Sequence, residues 1–162
     1  MVSAGLRERA LAAASDVVDP EIPALTIADL GVLRAVRLAG DTVEIEITPT
    51  YSGCPAMRVI ETEIEAALRA AGIDKFRIAT VLSPAWTTDW LSEEGRRKLA
   101  EYGIAPPAGQ ASRRALFGAE TVSCPRCGSA ETERISEFGS TACKALYRCK
   151  RCAEPFDYFK CH

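Results

Sequence analysis

The chain has 162 residues, which at roughly 150 residues per domain means one domain, or a medium domain plus a small one. Hydrophobic residues make up 48% and charged residues 26%, a balance that excludes a largely disordered chain. The net charge of −2 gives no global electrostatic case for binding nucleic acid, and no apolar run approaches the ~18 residues that cross a bilayer.

The opening residues lack the apolar core of a secretory signal and already carry acids, so a cytoplasmic location is expected. A first helix is expected over residues 4–18, where Leu6, Ala10, Leu11, Ala14, Val17 and Val18 recur at helical spacing and Pro20 stops the run. The stretch DPEIPALTIADLG reads as a loop. Residues 32–38 and 42–48 read as strands joined through Ala39-Gly40-Asp41. The second strand alternates Val43, Ile45 and Ile47 with Glu44 and Glu46, so the hairpin has one wet face. The loop PTYSG then ends at Cys54-Pro55, and a second helix follows. Its apolar stripe is Met57, Ile60, Ile64, Ala67 and Leu68, and Gly72 closes it. A third strand is expected over 75–82, and a helix from about Ser92, its N-cap, to Tyr102. This order predicts an α+β domain over residues 1–103: a small, mainly antiparallel three-stranded sheet with helices on one face.

Residues 104–120 carry Pro106-Pro107, two glycines and small residues, and read as a linker. The remaining 42 residues, 121–162, are too few to bury a core without a metal, disulfides or a partner. They hold six of the seven cysteines and are net positive, whereas residues 1–120 are net negative. An odd number of cysteines in a chain without an export signal fits reduced thiols better than a disulfide framework.

Cys124-Pro-Arg-Cys127 and Cys149-Lys-Arg-Cys152 are two C-x-x-C knuckles 21 residues apart. That pairing predicts a four-thiolate zinc ribbon, structural because no coordination position is left for water. A [2Fe–2S] centre on the same thiolates is the alternative metal, and unligated or redox thiols the metal-free one. Cys143, Cys161 and His162 remain as second-tier ligand candidates. The basic residues Lys144, Arg148, Lys150 and Arg151 are interspersed with acids, a weak footprint for nucleic acid.

Cys54 follows a glycine-containing loop and precedes Pro55 at the start of the second helix. Two readings stay open: a thiolate favoured by the helix terminus, with a depressed pKa, or a buried thiol that serves as a small hydrophobe. Asp19-Pro20-Glu21 places two carboxylates after the first helix, which on spacing alone is a solvated helix end. The single histidine is the last residue, so no Ser-His-Asp set can be assembled, and no phosphate-binding glycine loop is present.

The blocks D19-P-E-I-P, D29-L-G-V-L and T48-P-T-Y-S-G-C-P-A together resemble the iron–sulfur cluster assembly domain family, which includes the SufT-type maturation proteins. The segment from Phe138 to His162 (FGSTACKALYRCKRCAEPFDYFKCH) resembles the zinc ribbon of the D-subunit family of ring-1,2-phenylacetyl-CoA epoxidases. The resemblance implies a non-catalytic factor of aerobic phenylacetate catabolism that matures or assembles a di-iron oxygenase and its iron–sulfur reductase. These two would be its partners. It also implies that Cys54, Asp19 and Glu21 handle iron or a cluster transiently, and that Cys124, Cys127, Cys149 and Cys152 hold zinc. The alternative is a structural or regulatory subunit of the oxygenase complex. A chain with one terminal histidine cannot supply the Glu-x-x-His ligands of a di-iron oxygenase, and flavin and nicotinamide signatures are lacking. Residues 1–120 offer no second thiol and no imidazole. Further ligands for metal at Cys54 would come from Cys143, Cys161 or His162, from a second copy in a homodimer, or from the client.

Overall fold

The apolar stripe of residues 56–70 and the alternation of residues 42–48 organise the first half of the chain. The computed structural model describes residues 2–107 and 121–160, and the chain divides into residues 1–86 and 87–162. In the first unit, β1 (Leu33–Ala39) and β2 (Thr42–Ile47) form the expected antiparallel hairpin, turned by Gly40 at φ 65°. Helix α3 (Ala56–Ala70) then returns the chain so that β3 (Phe76–Thr80) lies parallel to β2, in the order β1-β2-β3. The α+β class and the three strands are as expected, but the sheet is mixed rather than mainly antiparallel. A helical crossover delivers the next strand to the same end of the sheet, which parallel pairing requires.

One face of this sheet buries Val36, Val43, Ile45 and Ile47, while α3 buries Ala56, Ile60, Ile64 and Leu68 at i, i+4 spacing. Helix α1 (Val2–Ser15) contributes Ala10 and Ala14 and packs on β1 and α3. At about 1.5–3 kcal/mol per buried large aliphatic side chain, this layer is the main favourable term of the unit. On the wet face, Glu46 pairs with Arg37 and Glu44 with Arg77 across the strands.

Helix α1 ends at Ser15, not at residue 18. Val18 instead bridges Thr26 in antiparallel fashion, Asp19 N–H donates to Leu25 O at 2.9 Å, and Ile27 N–H donates to Val17 O at 2.8 Å. The stretch expected as loop also contains a short helix, α2 (Ile27–Leu30). Thr26 and Asp29 form its capping box, and Gly31 ends it at φ 74°. Trp86, buried, donates its indole N–H to Leu30 O at 2.8 Å and closes the unit.

In the second unit, α4 (Glu93–Glu101) starts as expected, with Ser92 Oγ accepting from Gly95 N–H at 2.9 Å. Strands β5 (Thr132–Ser136), β6 (Lys144–Cys149) and β7 (Pro155–Phe159) form an antiparallel meander. Ile104 and Ala105, at the start of the proline-containing stretch, pair as β4 in parallel with β7, giving the order β4-β7-β6-β5. A core cluster here joins Ala105, Val122, Cys124, Ala145, Cys149, Phe156 and Tyr158, with Tyr147 packed against it, and Leu99 and Phe159 are fully buried in the same unit. No helix among the described residues is long and apolar enough to cross a membrane.

Candidate functional site

The two knuckles face each other because β6 ends at Cys149 and the segment before β5 returns alongside it. Cys124 N–H donates to Ser129 O and Gly128 N–H to Cys124 O, both at 2.9 Å, which folds the first knuckle into a tight turn. Cys149 N–H donates to Glu154 O at 2.9 Å, and Cys152 N–H points at Cys149 Sγ at 3.5 Å. The residue after each knuckle is left-handed, Gly128 at φ 74° and Ala153 at φ 61°. Only the first of these is the residue type that adopts that conformation without strain.

The four sulfurs lie within 4.8 Å of one another; Cys124 to Cys152 is 3.8 Å and Cys127 to Cys149 is 3.6 Å. A tetrahedron with Zn–S bonds of ~2.3 Å has edges of ~3.8 Å, so the set fits one zinc ion with four soft donors and no open position. A two-iron centre divides its cysteines between separate irons and calls for a longer site than this one. The Cys149 thiol is held down to about 7, first by the Cys152 N–H and also by the Arg151 N–H and neighbouring thiols. Against the Glu154 N–H, which lowers it, burial and the Cys149, Cys127 and Cys124 sulfurs push the Cys152 thiol up to about 11, so a bound cation is what would let all four sulfurs ionise near neutral pH. Cys143 is buried and outside this set; its Sγ meets Thr141 Oγ1 at 3.0 Å. Cys161 and His162 lie outside the described residues. Of the basic cluster, Arg148 and Lys150 pair with Glu133, and Lys144 stands 4.0 Å from Asp157.

In the first unit, Cys54 is half-buried just before Pro55, the N-cap of α3 at φ −67°. Its N–H donates to Tyr51 O at 3.2 Å and its carbonyl accepts from Met57 N–H at 3.3 Å. Of the two readings left open for this thiol, the depressed pKa is the one its surroundings oppose. Burial pushes it up, and the Glu21 and Asp19 carboxylates add to that, against lowering by the Ala56 N–H and the Tyr51 hydroxyl. The helix terminus is outweighed by desolvation and by the acids the fold brings beside it.

Those acids do different work. Asp19 is buried, and its Oδ1 accepts from Glu21 N–H at 2.8 Å and Ile22 N–H at 2.9 Å, so it is no solvated helix end. Glu21 Oε1 accepts from the Tyr51 hydroxyl at 3.5 Å, a contact spanning 30 residues that ties the DPE loop to the YSGC loop. Sequence reasoning does not single out Tyr51, nor Thr48, whose buried hydroxyl has no hydrogen-bond partner among the described residues. Their only sequence signal is membership of the motif that contains Cys54.

Comparison with known proteins accounts for both units. Residues 7–79 match the model of the iron–sulfur cluster assembly protein family, and residues 108–160 match that of the PaaD zinc beta ribbon domain. The chain is 53% identical over 147 residues to the putative D subunit of 1,2-phenylacetyl-CoA epoxidase of Escherichia coli, covering 91% of this chain and 88% of that one. It is 33% identical over 89 residues to the Fe-S protein maturation auxiliary factor YitW of Bacillus subtilis, covering 54% of this chain and 86% of that one. Among solved structures, a domain of unknown function, DUF59, from Bacillus anthracis superposes with a TM-score of 0.56. It is 22% identical and covers 61% of this chain and 95% of that one, a likeness of fold. The similarity runs to assembly, maturation and subunit proteins. With its assembly domain followed by a zinc ribbon, the chain belongs to the D-subunit family of the 1,2-phenylacetyl-CoA epoxidases.

Proposed function

We propose that the protein is a maturation factor for a phenylacetyl-CoA epoxidase system, acting on iron or iron–sulfur delivery to the oxygenase or its reductase in the cytoplasm. The observation that carries this reading is Cys54 with the Glu21 and Asp19 carboxylates beside it, in a domain of the cluster assembly family. One soft sulfur donor with harder oxygen donors is an incomplete ligand set, suited to iron that arrives and leaves as cargo. Glu21 is the oxygen donor better placed for this, because Asp19 is engaged by two backbone N–H groups. Cys124, Cys127, Cys149 and Cys152 would hold a resident zinc ion that closes the second unit; it supplies folding free energy and no chemistry.

The raised thiol favours a second reading, a non-catalytic structural or regulatory subunit with Cys54 inert. Metal and sulfide analysis of anaerobically purified protein separates the two. Labile iron in the wild type, absent from Cys54→Ala while about one zinc per chain stays in both, supports the maturation reading. Equal iron in both forms contradicts it.

A further inference from the structure

The four cysteines of the ribbon differ in exposure. Cys124 and Cys149, the first of each knuckle, are 2% and 0% exposed and belong to the unit's apolar core. Cys127 and Cys152, the second of each, are exposed. A reagent from solvent therefore meets one cysteine of each knuckle first. Each of these stands near a buried thiolate of the opposite knuckle: Cys127 to Cys149 at 3.6 Å and Cys152 to Cys124 at 3.8 Å.

We propose that Cys127 and Cys152 form a peroxide-sensitive face of the metal centre, where oxidation expels zinc by forming disulfides across the knuckles. The inference rests on the zinc reading above. The Cys127 sulfur attacks one oxygen of hydrogen peroxide; the O–O bond breaks, hydroxide leaves, and a sulfenic acid forms. The Cys149 thiolate then attacks that sulfur; the S–O bond breaks, a second hydroxide leaves, and the disulfide closes. Two sulfurs supply the two electrons, both hydroxides take up protons to become water, and zinc remains divalent. Cys152 and Cys124 repeat the sequence with a second peroxide. Each disulfide removes two of the four donors, so the ion leaves after the first or second event. Because Cys124 and Cys149 belong to the core cluster, loss of zinc also loosens the fold around them, which couples oxidant to the protein's activity.

The test uses the full-length wild type. Zinc is measured before and during a peroxide titration, with thiols trapped and disulfides mapped by mass spectrometry. Expected are about one zinc per chain at the start and its release at about one to two peroxides per chain. Sulfenic acid trapped with dimedone should appear on Cys127 and Cys152 and not on Cys124 and Cys149, the disulfides should be Cys127–Cys149 and Cys124–Cys152, and reductant with zinc should reverse the reaction. Zinc retained with all four thiols intact overturns the inference and leaves the zinc reading standing. Disulfides within each knuckle overturn it as well. Absence of zinc at the start overturns the zinc reading and this inference together.

Discussion

A thiol beside two carboxylates is harder to ionise than one at a bare helix terminus, and Cys54 carries the consequence. Its thiolate fraction at neutral pH is below that of an ordinary cysteine. Iodoacetamide should therefore alkylate it more slowly than an unfolded control peptide, with a rate profile shifted to higher pH. Glu21→Gln removes one opposing charge and should move that profile back toward lower pH and raise the neutral rate. An unchanged rate would mean that Glu21 does not act on the thiol. Asp19 is a different case. Asp19→Ala leaves two backbone N–H groups without their acceptor and should cost about 1–3 kcal/mol in urea unfolding. Asp19→Asn keeps an oxygen acceptor and should cost clearly less. The motif residues were legible in the sequence, but their electrostatic partnership was not. Glu21 and Tyr51 are 30 positions apart, and no local rule says that folding brings them together.

Elements governed by local periodicity or capping chemistry read well. The alternation of β2, the stripe of α3 and the Ser92 cap all appear where spacing and side-chain type put them. Elements decided by tertiary pairing did not. The parallel alignment of β3 depends on where α3 delivers the chain, and β4 is two residues long and exists only through β7. Short α2 did leave a signal, the Thr26-x-x-Asp29 capping box, hidden among prolines. Two substitutions test the packing account. Ile64→Ala empties a fully buried position on α3 and should cost about 2–5 kcal/mol in denaturant unfolding of the first unit. Ala153→Gly relieves a left-handed alanine after the second knuckle and should stabilise the metal-bound ribbon by about 1 kcal/mol, read as a higher unfolding midpoint. A lower midpoint would show that the turn does not hold that conformation.

On the scale of the whole molecule, two units with different sources of stability share one chain. The first has an aliphatic core between sheet and helices; the second has a core cluster that includes Cys124 and Cys149 of the knuckles. Removing zinc with a strong chelator should therefore strip amide protection from residues 121–160 while leaving that of β1–β3 and α3 in place, as followed by hydrogen exchange. Uniform loss of protection would mean that the units unfold together. The central claim is that Cys54 passes iron to a client. Its most direct measurement is the iron content of the epoxidase oxygenase and reductase subunits, each purified from cells that hold either the wild-type chain or Cys54→Ala at equal abundance. The account predicts full iron with the wild type and a clear deficit in at least one of the two subunits with Cys54→Ala, with the variant folded and still carrying zinc. Full iron loading of both subunits by Cys54→Ala would contradict it.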